Sequence, residues 1–189
     1  MGKKGRKKGT KPPKSPKLPD AQEVWDLATE AYKRGEHEQA LAQFAEAAEL
    51  ANVAGPRSHT KAVTMRARCF TGAASCHLAL DDRASALTAA KVAVALNPSD
   101  AAALASRATV HLTCGRWAAA AADYEAALAH QPSAAAAAVI ATQLQRARVH
   151  AAHHAQLLVE HSHLDGAHLL ESGGEAWDHR QGRRRREAR

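Results

Sequence analysis

Twelve histidines are among the chemically pointed residues of this 189-residue chain. His150, His154 and His161 share one helical stripe at spacings of four and seven, with His153, His163 and His168 nearby. Two imidazoles at i and i+4 can chelate a transition metal. No Cys completes a close shell, and Glu160 is the one carboxylate at hand, so the stripe reads as a polar helix face that gains charge below about pH 6.5. Cys69, Cys76 and Cys114 are too few and too scattered for a zinc site or a disulfide framework. On a helix Cys69 and Cys76 are separated by about 10 Å of rise, beyond disulfide reach, which fits a reducing compartment. His37-Glu38 lacks the second His of a metalloprotease helix, and Asp81-Asp82 read as turn residues. Phosphate-binding glycine loops and nucleophile elbows are missing from the sequence. The expectation is no catalytic residue, no metal site and no cofactor, hence not an enzyme.

The remaining charged chemistry sits at the ends. Residues 1–19 hold eight basic residues and no acid, including Lys3, Lys4, Arg6, Lys7 and Lys8. Residues 180–189 hold six Arg and one Glu, including Arg183, Arg184, Arg185 and Arg186. Against an overall charge of +7, this leaves residues 20–179 at −6. Such basic runs suit nuclear addresses or phosphate contacts. No aromatic is interleaved with the N-terminal run, so base stacking is not supported there.

The elements between the ends are helical by composition. Alanine is about a quarter of the chain, and Ala loses no side-chain entropy on entering a helix. Sandwiches and barrels would need more β-branched and aromatic residues. No apolar run approaches the roughly 18–20 residues that span a bilayer. The basic N-terminus is followed by no apolar h-region, and Arg6 stands where a myristoylation motif wants Ser or Thr.

Three segments repeat in phase. Ala86-Leu87, Ala90, Ala93 and Asn97-Pro98 have counterparts 34 residues on, at Ala120-Ala121, Tyr124, Ala127 and Gln131-Pro132. A further copy upstream carries Ala28, Gly35, Ala40, Phe44 and Ala47. Asp81 replaces the turn glycine of the middle copy. A helix-turn-helix period of 34 residues with small and aromatic residues at these places resembles the tetratricopeptide repeat. The resemblance implies an all-α, right-handed superhelix of three helix-turn-helix repeats. Residues 20–132 would form them, as 21–54, 56–100 and 101–132. Twelve inserted residues lengthen the first helix of the middle repeat by about three turns, with Ser58 as its N-cap. Residues 133–163 would be a capping helix whose Val139, Leu144, Val149 and Leu157 pack. Residues 1–19 and 164–189 would be disordered basic tails, with 161–175 able to fold back into the groove.

In this family the first helices of the repeats line the concave surface. That register assigns to a peptide groove Trp25, Thr29, Tyr32 and Lys33, then Arg68, Thr71, Ser75 and Leu78, then Ala105, Thr109 and Leu112. Trp25 and Tyr32 would be its anchors. Ala73 to Leu80, preceded by a long helix, also resembles the repeats of large immunophilins and heat-shock co-chaperones. Those modules hold acidic peptide tails in a clamp of cations and Asn. The corresponding places here carry Trp25, Thr29, Gly72, Ala102 and Ser106, so the fold is implied without the charged clamp, unless Lys33 or Arg107 supplies a cation. The expected function is a non-enzymatic adaptor, co-chaperone-like, binding another protein in the groove. The alternative is an RNA- or ribosome-associated nuclear or nucleolar protein that binds nucleic acid through its basic tails. No membrane partner is expected, and the location is cytoplasmic, nuclear or both.

Overall fold

The computed structural model describes residues 20–52 and 59–172, with side-chain surroundings as far as Glu160. The basic runs at both ends and Ser58 lie outside the described residues. The described chain is an array of helices with no strand: α1 (Ala21–Lys33), α2 (His37–Asn52), α3 (His59–Ala79), α4 (Arg83–Leu96), α5 (Ala101–Thr113), α6 (Trp117–Ala129) and α7 (Ala134–Ser172). Successive helices pack as antiparallel neighbours, and α3 also packs against α1 and α5. The odd-numbered helices α1, α3 and α5 therefore form one continuous face. No described helix is long and apolar enough to cross a membrane.

The turns inside the three pairs share one device. Gly35, Asp81 and Gly115 have φ of 83°, 58° and 70°, each in the left-handed region. Asp tolerates that region better than most residues with a Cβ, so the missing glycine of the middle repeat costs little. Asp82 then caps α4 by accepting the Ser85 N–H at 3.0 Å. Asp100 caps α5 in the same way, through the Ala102 N–H at 3.0 Å.

Close approach within each pair rests on alanine. Ala28, Ala40, Ala74, Ala86, Ala108 and Ala120 all have no accessible surface. Their methyl-sized side chains let helix axes come near enough for larger residues to fill what remains. Phe44 is one of these, and it lies over Gly72, where an added Cβ would stand 2.5 Å from the ring. Tyr124 is another, buried with Leu104, Ile140 and Leu144 in the cluster that joins α5, α6 and α7.

α3 has 21 residues against 13 in α1 and α5. α7 departs further from expectation. It does not end at residue 163 but continues to Ser172, 39 residues in all. Gly166 inside a helix costs only about 1 kcal/mol relative to Ala, and no proline interrupts the run before the Gly173-Gly174 pair. Its packing face also differs. Ile140, Leu144 and Ala147 are buried, while Val139, Val149 and Leu157 are exposed. A stripe at i, i+4 and i+7 is the one a single neighbouring helix can cover, and α6 is that neighbour. As far as Ser172, the segment 161–175 is a continuation of α7 rather than a strap across the groove.

One largely enclosed ionisable group between α5 and α6, His111, has an acid-sensitive consequence. His111 Nε2 lies 3.9 Å from the Asp123 carboxylate, and its Nδ1 is buried without a partner. Burial depresses its pKa below the ordinary 6.5, against the pull of Asp123 and with the help of Arg116, Arg107 and Lys91. The unfolded imidazole therefore takes up a proton at a pH where the folded one resists it. That contribution to stability is present above about pH 6.5 and is lost as pH falls through the folded value. Urea denaturation at about pH 7.5 and about pH 5.5 should show lower stability in acid, and His111→Gln should flatten that difference. An undiminished acid loss in the variant would assign it to other groups.

Candidate functional site

The odd-numbered face is concave, and its deepest point is a cavity of about 290 Å³. α1 contributes Trp25, Thr29 and Tyr32, and α3 contributes Arg68, Thr71, Gly72 and Ser75. Asp100 and Ala102 close one edge from the start of α5, and Phe44 of α2 forms the floor. Because Gly72 lacks a Cβ, the Phe44 ring reaches between the inner helices to the concave side.

Six of the sequence-assigned groove residues thus meet in one cavity: Trp25, Thr29, Tyr32, Arg68, Thr71 and Ser75. The other five do not join it. Lys33 is exposed and paired with Glu30 at 2.7 Å. Leu112 is buried in the α5–α6–α7 core, and Ala105 packs against the same cluster. Leu78 packs against the core between α3 and α4. Thr109 bonds the Tyr124 hydroxyl at 3.0 Å. Lys33 is held by its own helix, while Leu78, Ala105, Thr109 and Leu112 are drawn towards neighbouring second helices, which a register taken from first helices alone does not represent. Arg107 is likewise unavailable as a clamp cation, since it forms a bidentate pair with Asp123 at 2.8 and 2.6 Å.

Phe44 and Asp100 were missed in the assignment of the groove. Phe44 carries no signal in the sequence, because its approach to Gly72 depends on how one repeat sits on the next. Asp100 carries one as an N-cap, which places it at a helix mouth.

The polar groups of the cavity have a definite polarity. The hydroxyls of Thr29, Thr71 and Ser75 each donate to a carbonyl one turn back, at 3.0, 2.9 and 3.3 Å. Their lone pairs are left to accept. Arg68 is the one cation in the lining. Its guanidinium lies 3.9 Å from the centroid of the Trp25 ring and donates to Gln22 at 3.2 Å, which holds it in place by cation–π attraction and a hydrogen bond. The Trp25 indole N–H is buried and has no hydrogen-bond partner. A buried donor left unpaired costs roughly 1–3 kcal/mol, so an acceptor brought to it gains more than an acceptor on an open surface.

Beside the cavity lies a more open cleft along α1, lined by Glu23, Asp26, Leu27, Glu30 and Lys33 and sharing Trp25 and Thr29 with it. Among the described residues no group of three or more His, Cys, Asp or Glu is arranged to hold a metal ion. His150 stacks on Trp117 with ring centroids 4.6 Å apart. Cys69 and Cys76 are free and buried, their thiols pushed up to about 11 by burial.

A family model described as tetratricopeptide repeat matches residues 74–145. No curated protein matches the sequence. Among solved structures, the first such domain of human RPAP3 is 20 % identical, with a TM-score of 0.56 over 70 % of this chain and 92 % of that one. The first such domain of Spaghetti, solved bound to an HSP90 peptide, is 20 % identical, with a TM-score of 0.53 over 70 % and 94 %. The Yersinia enterocolitica type III secretion chaperone SycD, solved with a peptide of the translocator YopD, is 17 % identical, with a TM-score of 0.54 over 68 % and 92 %. Residues 74–145 match the tetratricopeptide-repeat model by sequence, and the α1–α7 array that contains them has the all-helical fold of the tetratricopeptide-repeat domains it resembles.

Proposed function

We propose that this chain is a non-enzymatic adaptor that docks a peptide segment of another protein in its concave groove, in the manner of a co-chaperone. The observation that carries the reading is the Trp25 corner. A buried, unpartnered indole N–H stands beside a fixed guanidinium, over an apolar floor made by Phe44 and Gly72. An extended peptide brings a backbone carbonyl or carboxylate for Trp25 and Arg68 and a side chain for the cavity. The solved relatives support the reading by what they hold: the HSP90 peptide SRMEEVD on Spaghetti and a YopD peptide on SycD. With a single cation in the lining, Arg68 takes the part that two or more cations would share in a charged clamp.

The test is capture of partner proteins from nuclease-treated lysate by the full chain and by groove variants. Arg68→Glu reverses the charge, and Ala102→Tyr fills the cavity from an exposed position. Each should remove a specifically captured protein, whereas Lys33→Ala, outside the cavity, should not. A partner that survives both groove variants would sink the reading. Capture that depends on nucleic acid alone would place recognition in the basic tails.

A further inference from the structure

The groove and one end of this chain are complementary. Trp177 is the only aromatic residue after Tyr124. It stands in the sequence Glu175-Ala176-Trp177-Asp178, directly after Gly173-Gly174 and directly before the arginine-rich end. Residues 173–189 lie outside the described residues. We propose that the concave groove of one copy of this protein takes the segment around Trp177 of a second copy. The proposal rests on the reading of the groove as a peptide site and names its occupant.

Chemistry matches in order along the segment. An indole suits the apolar cavity floored by Phe44. Glu175 and Asp178 flank it with carboxylates, and the cavity offers the Arg68 guanidinium and the Trp25 N–H. Arg180 and Arg183 to Arg186 follow, and the adjoining cleft carries Glu23, Asp26 and Glu30 along α1, offset by Lys33 alone. Acids followed by arginines on the segment thus meet a cation in the cavity and acids in the adjoining cleft, a pairing of opposite charges that favours this partner.

The length of α7 makes the contact intermolecular. Trp117, the first residue of α6, stacks on His150, so α7 runs antiparallel to α6 and passes the end of α5 opposite to Asp100. Almost every residue from Arg148 to Glu160 is exposed. From His150 to Ser172 the helix advances about 33 Å, away from the groove edge at Asp100 and Ala102. That edge lies a further 20 Å or so back along α5. Five extended residues between Ser172 and Trp177 recover at most about 18 Å. With α7 intact, Trp177 is too few residues from Ser172 to reach its own groove, which leaves the groove of a neighbour. One groove and one tail per copy make the interface heterologous, so assembly proceeds head to tail.

Sedimentation of the full chain tests this. The wild-type protein should self-associate with rising concentration, and less so at high salt. Trp177→Ala and Arg68→Glu should each weaken association tenfold or more. Mixed together, the two variants should form a one-to-one heterodimer and stop there, because the first retains the groove and the second retains the tail. Ala102→Tyr in place of Arg68→Glu should give the same heterodimer, which separates loss of the site from loss of folding. A wild-type chain that stays monomeric at hundreds of micromolar would overturn the proposal. So would association indifferent to Trp177→Ala, or a mixture without the heterodimer. If the chain is monomeric yet captures another protein through Arg68, this inference falls and the adaptor reading stands.

Discussion

Tyr124→Ala should cost about 3–5 kcal/mol of unfolding free energy, the range for removing a large buried aromatic. The ring is 1 % exposed and belongs to the cluster formed by Ala93, Val94, Leu104, Ala108, Ala120, Ile140 and Leu144. Those residues come from α4, α5, α6 and α7, so a cavity there loosens four helices together. The hydroxyl matters less. Its partner Thr109 also donates to the Ala105 carbonyl at 2.9 Å and is exposed, so Tyr124→Phe should cost only about 0.5–1.5 kcal/mol. Urea denaturation of the two variants separates ring from hydroxyl. A loss within about 0.5 kcal/mol for Tyr124→Ala would mean that the ring is not the pin it is taken to be. The consequence reaches the groove, because the same cluster fixes α5, whose first residues hold Asp100 and Ala102 at the cavity edge.

The repeats were legible in the sequence because their rule is local. Ala28, Ala74 and Ala108, with Ala40, Ala86 and Ala120, mark the faces where helices of one pair meet, and all six are fully buried. The left-handed turns were legible for the same reason, even with Asp81 in place of glycine. α7 was harder. Its alanines fit either side of a helix, so the expected face was Val139, Leu144, Val149 and Leu157, of which Leu144 is covered, while the rest of the covered stripe is Ile140 and Ala147. Only the position of α6 decides between them. The cavity was legible along α1 and α3, where successive turns of one helix carry Trp25, Thr29 and Tyr32, and Arg68, Thr71 and Ser75. It was not legible where two repeats meet. Phe44 enters between the inner helices over Gly72, and Leu112 is taken into the core by α6 and α7. These depend on how one pair is rotated on the next, which no single repeat encodes.

The second large effect should come from Asp123. Its side chain is 13 % exposed and that of Arg107 is 27 % exposed, with two hydrogen bonds between them. Asp123→Ala leaves the guanidinium half-enclosed without its carboxylate and removes the one acid beside His111. Breaking a fully buried pair costs about 3–5 kcal/mol. Partial access of Arg107 to water lowers that, so about 2–3 kcal/mol is expected. The pair itself contributes far less than this loss, because its attraction is set against the desolvation of both ions. Replacing both partners, as Arg107→Met with Asp123→Leu, should therefore return to within about 1 kcal/mol of wild type. The coupling between the two sites, read by urea denaturation of wild type, both single variants and the double, should exceed about 1 kcal/mol. Additive losses would show that the two side chains act independently, with the cost in packing rather than in an abandoned charge. Coupling of that size would instead make the pair a matching device between α5 and α6, penalising any register in which one charge is buried without the other. That is a use for a polar contact inside an array whose buried core is rich in alanine, a residue that discriminates poorly between registers.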